Sequence, residues 1–336
     1  MTNPDTFTRR PAWKGLLSGA IALGCLSMAV APAIADEPYP SKPIRLIVMY
    51  PAGGVVDLVG RAVSERMGSM LGQPIVVENK VGASGTVGFS ELARAPADGY
   101  TLAMGVANMI TNPILLPKVT KWKTADFIGI GQIGAPPNVF VTASSHPAKT
   151  LPQMVDYLKA NAATASVSNP GIGTSNHLGQ ELFFKRTNLN PSNVLYKGQP
   201  AMVADIASGQ VTLGLMTAAL ANAQIQKGTL KALAVGANAR IASLPNTPTV
   251  AEAGFSDATY MPTYGIIARA GTPKAMVDKL SDAMQKAMAS PEVISRLEKI
   301  GAVISPANAA QYDQNIAAEI KLLSGLIRDR NIRLPN

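Results

Sequence analysis

Short apolar segments alternate with helical segments through the first part of this chain. Residues 44–49 predict a strand, and residues 57–71 predict a helix from the spacing of their apolar side chains. Residues 75–78 predict a second strand, residues 86–93 a second helix, and residues 100–104 a third strand. Crossovers in such β-α-β-α-β units are right-handed, so we expect a mostly parallel sheet. This alternation restricts the chain to α/β folds.

A second set of elements begins near Phe127 and is followed by a proline-rich segment at residues 244–249. The predicted strands are 138–143, 165–169, 193–196, 211–216, 231–235 and 264–268, and the predicted helices are 151–160, 177–186, 201–208, 273–289, 291–300 and 307–329. We therefore expect two α/β lobes. Lobe 1 comprises residues 36–135 and 245–336, and lobe 2 comprises residues 136–244, so the chain crosses between them twice.

The first 35 residues have the features of an export signal. Basic residues, among them Arg9 and Arg10, precede an apolar run over residues 15–30, and a small-x-small pattern ends at Ala35. The run is short for a transmembrane helix, so we expect cleavage after Ala35 and a periplasmic protein. Two variants stay open: a twin-arginine signal rather than a general secretory one, and lipid anchoring on Cys25 through a lipobox-like sequence.

Cysteine content and charge exclude several classes of function. Cys25 is the only cysteine, so cleavage after Ala35 leaves no disulfide, thiolate nucleophile or cysteine metal site. The net charge of +9 comes from scattered basic residues, without a basic run or interleaved aromatic side chains. Nucleic-acid binding is therefore not expected. The diffuse positive charge fits both attraction of anionic solutes and plain solubility.

The loop that follows the first strand is the strongest candidate for a binding site. It consists of Pro51, Ala52, Gly53 and Gly54. Backbone N–H groups at a helix N-terminus are free and carry partial positive charge, and glycine lets a ligand approach them closely. The loop therefore suits a carboxylate or phosphate, although an ordinary tight turn has the same pattern. Asp57 is expected to cap the helix and not to contact the ligand.

A second loop repeats this arrangement in the predicted second lobe. Gly171, Gly173, Thr174 and Ser175 follow a predicted strand and precede a predicted helix. If the lobes face each other, two helix N-termini converge on one cleft. The loop lacks the third glycine of a dinucleotide fingerprint, and residues 51–54 lack the lysine of a phosphate-binding P-loop, so no nucleotide cofactor is expected.

Further candidates lie at strand ends, where ligands of open α/β sheets gather. These are Asn108 after the third strand and Thr217 after the strand predicted at 211–216. No cluster with metal-ligand spacing and no nucleophile elbow is present, so no metal site, catalytic residue or enzyme activity is expected. Ser175 with His177 is the weak basis for an exported hydrolase, since residues two apart on a helix do not face each other.

A set of short motifs is spread over almost the whole chain, at residues 39–44, 51–54 with Asp57, 77–80, 97–102, 112–113, 171–178, 196–201, 208–211, 244–249, 251–254 and 270–273. In this order the motifs resemble those of the TctC-like or Bug family, the extracytoplasmic solute receptors of tripartite tricarboxylate transporters.

The resemblance implies a periplasmic-binding-protein fold of the two-hinge (type II) kind that closes on its ligand. It implies that the loops 51–54 and 171–175 hold a ligand carboxylate, partly through ordered waters, with Asn108 and Thr217 lining the rest of the pocket. It also implies a membrane transporter as partner for a receptor that we expect to be a monomer. A sensor that feeds a membrane kinase stays open, as does the ligand: a dicarboxylate, tricarboxylate, aromatic acid or amino acid.

Overall fold

The structure is a computed structural model that describes residues 38–333. The predicted signal peptide, the cleavage point after Ala35 and the lipobox-like segment at Cys25 lie outside this range. Within it the strands are β1 Ile44–Val48, β2 Ile75–Asn79, β3 Thr101–Gly105, β4 Phe127–Ala135, β5 Asn138–Ala143, β6 Ser166–Asn169, β7 Ser192–Leu195, β8 Gly214–Thr217, β9 Leu230–Gly236, β10 Gly265–Arg269 and β11 Val303–Asn308. The helices are α1 Val55–Leu71, α2 Thr86–Arg94, α3 Asn108–Leu115, α4 Leu151–Ala160, α5 Ser175–Thr187, α6 Gln199–Ala207, α7 Ala218–Gln226, α8 Lys274–Met288, α9 Pro291–Lys299 and α10 Ala309–Asp329. None of these helices is long and apolar enough to cross a membrane.

The larger sheet has six strands in the order β11-β4-β10-β3-β1-β2. β1 pairs in parallel with both β2 and β3, as the β-α-β-α-β pattern predicts. Apolar side chains from α1, α8 and α10 cover this sheet and form one continuous core with it. The carboxyl ends of β1, β2 and β3 therefore meet at one edge of the sheet.

The expectation of a mostly parallel sheet is wrong for the rest of these strands. β10 is antiparallel to β3 and β4, and β11 is antiparallel to β4. The first residue of β10, Gly265, lies beside Gly105, the last residue of β3. Val303 at the start of β11 likewise lies beside Ala135 at the end of β4. A strand that enters at the edge where its neighbours end must run in the opposite direction.

Residues 138–236 form the smaller sheets. β8, β5 and β9 make an antiparallel sheet, and β6 pairs in parallel with β7. An isolated bridge between Val167 and Leu213 links β6 to the segment before β8. The six-stranded sheet thus contains four strands that precede this middle segment in the sequence, β1–β4, and two that follow it, β10 and β11. The lobe boundaries at residues 135 and 245 stay a prediction.

Two chain segments connect the larger sheet with the smaller ones, and they are bonded to each other. The N–H groups of Ile133 and Gly134, at the end of β4, donate to the carbonyl of Tyr264, 2.8 and 3.2 Å away. Tyr264 immediately precedes β10 on the return from the middle segment. Any movement of the smaller sheets relative to the larger sheet must therefore change the backbone conformation of these two hydrogen-bonded segments.

Glu319 of α10 holds the returning segment. Its carboxylate is buried and accepts hydrogen bonds from the hydroxyls of Tyr260 and Thr263, each at 2.5 Å. Burial raises the pKa of Glu319, and the two hydroxyl donors partly offset this. The carboxylate thus fixes the position at which the chain re-enters the larger sheet.

Replacing Glu319 by alanine is expected to lower the free energy of unfolding by about 2–3 kcal/mol, because two hydroxyls lose their acceptor and a cavity forms. Urea denaturation measures the loss. Glu298→Ala, at an exposed position on α9, is the control and is expected to change stability by less than about 0.5 kcal/mol. Equal stability of the two variants would show that Glu319 does not hold this segment.

Candidate functional site

The first predicted loop lies at the edge where β1 ends and α1 begins. Gly54 is the N-cap of α1 and provides no side chain to bond the first turn. The N–H groups of Val55 and Val56 have no hydrogen-bond acceptor among the residues that the structure describes. Two free donors therefore point out of a helix N-terminus, beside a glycine, Gly53, with a φ of 78°.

Asp57 does not cap this helix, so that prediction is wrong. The helix begins two residues earlier, at Val55, which makes Asp57 the third residue of α1. From there its buried carboxylate reaches back and accepts the N–H of Gly53 at 2.9 Å. It also accepts from Arg61 Nε at 2.9 Å and from Asn79 Nδ2 at 2.8 Å. Asp57 therefore holds the 51–54 loop in place through its hydrogen bond to Gly53.

The charge of Asp57 is stabilised where it lies. Burial alone raises the pKa of this carboxyl, but hydrogen bonds from Arg61, the Gly53 N–H and Asn79 outweigh burial and hold the pKa below its usual range. Asn79 also donates to the carbonyl of Tyr50, 2.9 Å away. These contacts tie the end of β1, the end of β2 and the first turn of α1 together.

The second predicted loop lies at the end of β6 and leads into α5. Thr174 is the N-cap of this helix; its hydroxyl accepts the N–H of His177 and donates to the carbonyl of Gly171 at 2.7 Å. Within residues 38–333 no acceptor bonds the N–H of Ser175 or Asn176. The free donors of this loop are therefore these two backbone groups, since the proton of the Thr174 hydroxyl is already engaged.

His177 is a neutral side chain that accepts a hydrogen bond from the backbone of this loop. Its Nδ1 accepts the N–H of Gly173 at 3.2 Å, so that nitrogen carries no proton. Burial lowers the pKa of His177; Glu181 partly opposes this shift, and Arg330 adds to it. Glu181 Oε1 lies 3.7 Å from Nε2 of His177, and Glu181 Oε2 accepts a hydrogen bond from Arg330 Nε at 2.7 Å. Within residues 38–333 no serine hydroxyl is hydrogen-bonded to this imidazole, so the geometry does not support the Ser175–His177 pair of a hydrolase.

We expect NMR spectra at neutral pH to show His177 as the Nε2–H tautomer, with an apparent pKa below the usual value of about 6.5. A lowered pKa means that the neutral ring contributes stability above about pH 6.5, and that this contribution is lost as pH falls through the folded-state pKa. The chain has two histidines, so His177→Asn assigns the signals. A pKa at or above 6.5 would contradict this role.

Helix α3 joins the two loops. Asn108, its first residue, is buried and accepts the hydroxyl of Tyr50 at 2.7 Å, one residue before the 51–54 loop. One turn along, the hydroxyl of Thr111 donates to the carbonyl of Gly173 at 3.3 Å. Gly173 has a φ of 79°, and a Cβ there would lie 2.8 Å from Leu115 Cδ1. The absence of a side chain at Gly173 thus lets the second loop lie directly against α3.

A chain of amide side chains extends the site toward Thr217. The N–H of Thr217 donates to Gln199 Oε1 at 2.7 Å, and Gln199 Nε2 donates to Asn176 Oδ1 at 3.1 Å. Asn176 Nδ2 in turn donates to Asn138 Oδ1 at 2.7 Å. We call these four residues the amide relay. It connects the end of β8 with the starts of α6, α5 and β5.

The predicted site residues differ in exposure. Pro51, Ala52 and Gly53 are exposed, Gly54, Gly171, Thr174, Ser175 and Thr217 are partly buried, and Asn108 and Gly173 are buried. The contacts through α3 connect Asn108 and Gly173 to both loops, and the amide relay includes Thr217. Whether these residues bind a ligand stays a prediction.

Sequence reasoning missed Tyr50, Asn138, Asn176 and Gln199 as members of this site. For Gln199 a signal was present, since Gly198 follows β7, precedes α6 and has a φ of 92°. That is the strand–glycine–helix pattern of the two recognised loops. Asn138 has no such local signal, because its side-chain partner in the described part of the chain, Asn176, is 38 residues away.

The turn after β2 also belongs to this edge of the sheet. Four consecutive residues, 82–85, have positive φ, and two of them, Ala83 and Ser84, are not glycine. Asn112 of α3 holds the turn by donating to the carbonyl of Ser84 at 2.9 Å. Strained backbone of this kind persists where neighbouring contacts enforce it. The sequence predicted a glycine-rich turn here but no connection to α3.

The arrangement provides donors for an anion rather than ligands for a metal. In residues 38–333 no group of three or more His, Cys, Asp or Glu side chains is placed to hold a metal ion. The edge instead has the free N–H groups of two helix N-termini, which bind carboxylates and phosphates well.

Comparison with known proteins agrees with this geometry. BugT of Bordetella pertussis is 28% identical over 320 residues, which cover 95% of this chain and 98% of BugT. An adipate-bound protein of Rhodopseudomonas palustris has a TM-score of 0.76 and 26% identity, covering 88% of this chain and 99% of that one. Malate-bound MatC of the same organism has a TM-score of 0.72 and 25% identity, covering 86% and 100%.

The periplasmic binding protein BugD has a TM-score of 0.73 and 30% identity, covering 88% of this chain and 99% of that one, and this chain shares its fold. Residues 59–332 match the family described as tripartite tricarboxylate transporter family receptor, known as TctC. The match spans most of the chain and includes α3, α5 and the amide relay. The chain belongs to the TctC family of tripartite tricarboxylate transporter receptors.

Proposed function

We propose that this protein binds a small organic carboxylate between the 51–54 and 171–175 loops and delivers it to a membrane transporter of the tripartite tricarboxylate type. The observation that carries the proposal is the pair of helix N-termini, α1 and α5, that α3 links. Among residues 38–333, the N–H groups of Val55, Val56, Ser175 and Asn176 have no acceptor. The malate and adipate bound to the two R. palustris proteins are ligands of the same chemical class.

Capture would proceed by closure of two lobes, residues 36–135 with 245–336 and residues 136–244. The bonded segments around Gly134 and Tyr264 are where such a movement would bend. Each helix N-terminus attracts negative charge, so a carboxylate between them stabilises the closed form. The ligand-binding residues in this proposal are Pro51, Ala52, Gly53, Gly54, Asn108, Gly171, Gly173, Thr174, Ser175 and Thr217.

The proposal includes export by the N-terminal signal with cleavage after Ala35, and action as a monomer without catalytic activity. Members of the TctC family are periplasmic receptors, which supports a capture step outside the inner membrane. In the proposed transport cycle the receptor binds the ligand and releases it to the transporter, and the ligand is not chemically converted.

A thermal-shift screen of carboxylates and their neutral amides tests the binding step. We expect at least one small carboxylate to raise the melting temperature at millimolar concentration, and its amide to have no effect. Stabilisation by amides or sugars, with no response to any mono-, di- or tricarboxylate, would overturn the proposal.

A further inference from the structure

The direction of the hydrogen bonds in the amide relay follows from one backbone group. The N–H of Thr217 can only donate, so the Gln199 atom that faces it at 2.7 Å must be the oxygen. The other end of the Gln199 amide is then a nitrogen and must donate to the oxygen of Asn176. By the same reasoning, Asn176 offers its nitrogen to the oxygen of Asn138. Each amide orientation is therefore determined by the preceding one.

With the hydrogen bonds running in this direction, the side-chain atoms of the relay that still have unused hydrogen-bonding capacity include the amide nitrogens, which are donors. Every amide oxygen already accepts a hydrogen bond, and the Gln199 oxygen accepts a second one from the hydroxyl of Thr217. Each amide nitrogen carries two protons, and Gln199 and Asn176 use only one of theirs within the relay. The relay thus presents N–H groups to its surroundings.

Asn138 is the end of the relay and is left with an unpaired donor. It is 1% exposed, and its Nδ2 has no hydrogen-bond partner in the described part of the chain. Asn138 lies opposite Thr217 in the β5–β8 ladder, so both ends of the relay are at the carboxyl end of β8. A buried donor without an acceptor is costly, and an acceptor supplied by a ligand removes that cost.

Gln180 is a second buried amide on this face of α5, one turn beyond Asn176. It is fully buried, and neither of its side-chain atoms has a partner within residues 38–333. No backbone N–H fixes the orientation of the Gln180 amide, so either of its atoms can face a neighbour. Gln180 therefore does not fix the direction of the hydrogen bonds in the relay, which is set by the N–H of Thr217.

We infer that the amide relay binds a second acceptor group of the ligand, and that the protein selects a dicarboxylate over an amino acid or a monocarboxylate. The inference rests on the proposed function, in which the two loops hold the first carboxylate. An ammonium group can only donate, so it would leave the buried nitrogen of Asn138 without an acceptor. A second carboxylate matches the free N–H groups and pairs the buried nitrogen of Asn138.

Two matched sets of probes test the selectivity of the wild-type protein by calorimetry. The sets are glutarate, 4-aminobutanoate and butanoate, and adipate, 5-aminopentanoate and pentanoate. In each set the second carboxylate is kept, replaced by an ammonium group, or removed. We expect a dicarboxylate of at least one set to bind about tenfold or more tightly than both of its partners. Equal or tighter binding of the amino acids or monocarboxylates in both sets would overturn the inference.

The substitution Gln199→Glu should reverse the relay. A carboxylate at residue 199 accepts from both Thr217 and Asn176, so Asn176 turns its oxygen toward Asn138 and Asn138 presents an oxygen at the free end. The ratio of dicarboxylate to amino-acid affinity is expected to fall about tenfold or more. Gln210→Glu, an exposed change of equal charge in the same half of the chain, should leave the ratio unchanged. A ratio unaffected by Gln199→Glu would contradict the role of the relay.

The two proposals fail in different ways. If monocarboxylates bind as well as dicarboxylates, carboxylate capture by the loops stands and the role of the relay is wrong. If none of the six probes binds, the proposed function and this inference are both contradicted for these acids. The wild-type measurement decides the inference even if Gln199→Glu does not fold.

Discussion

Replacing Gly173 by valine is expected to weaken carboxylate binding by about 30- to 140-fold, the equivalent of an overpacking cost of about 2–3 kcal/mol. A Cβ at this position would lie 2.8 Å from Leu115 Cδ1 and 3.2 Å from Thr111 Oγ1. The added side chain would push the 171–175 loop away from α3. The N–H groups of the two helix N-termini would then no longer reach the same carboxylate.

Gly209→Val separates this contact from backbone strain. Gly209 has a φ of 80°, nearly the same as the 79° of Gly173, but nothing lies within 4 Å of a Cβ at Gly209. Both variants bear the cost of a β-branched residue at positive φ, and only the Gly173 variant meets α3. Calorimetry with the most stabilising carboxylate of the thermal-shift screen measures the difference. Equal affinities of the two variants would show that contact between the loop and α3 is not required.

The substitution Asp57→Asn is expected to lower the free energy of unfolding by about 3 kcal/mol at neutral pH. The carboxylate accepts from Gly53, Arg61 and Asn79, and an amide nitrogen in place of one oxygen would face donors. The 51–54 loop should become more mobile, and carboxylate binding should weaken with it. Urea denaturation and calorimetry measure the two effects.

This effect should depend on pH in a defined direction. Because hydrogen bonds hold the pKa of Asp57 below its usual range, its contribution to stability is present above the unfolded value of about 3.9 and is lost as pH falls through the folded-state pKa. The stability difference between wild type and Asp57→Asn should therefore shrink in acid. Asp278→Asn, at an exposed ion pair with Lys274, is the control and should cost less than about 1 kcal/mol. A difference that grows in acid would contradict the assignment.

The sequence predicted the elements whose local signals are strong. The strand at 138–143 and the helix at 151–160, with Thr150 as its N-cap, are confirmed. The β1–α1 and β6–α5 loops were recognised because a strand, a glycine and a helix follow one another. α3 was missed because it is short and contains Pro113, which favours a helix end over a helix interior. β4, α7 and β11 were also not predicted, and without β11 the last helix was expected to begin at residue 307, two residues too early.

The connections within the site could not be predicted, since they depend on tertiary contacts. The side chains of Tyr50 and Asn108 meet across 58 residues of sequence, and Thr111 and Gly173 meet across 62. Asp57 was assigned as an N-cap because Asp is common there, but α1 begins two residues earlier, at Val55, with Gly54 as its N-cap. β10 is antiparallel because the chain re-enters the larger sheet at the edge where β3 ends. No local sequence pattern indicates this point of entry.

Amide NMR spectra recorded during titration with a bound carboxylate test the central claim most directly. If two helix N-termini hold one carboxylate, the N–H signals of Val55 and Val56 in α1 and of Ser175 and Asn176 in α5 should shift together. They should saturate at the same ligand concentration, and Gly173→Val should abolish the joint response. Shifts confined to one helix, or to neither, would contradict a carboxylate held between the two loops.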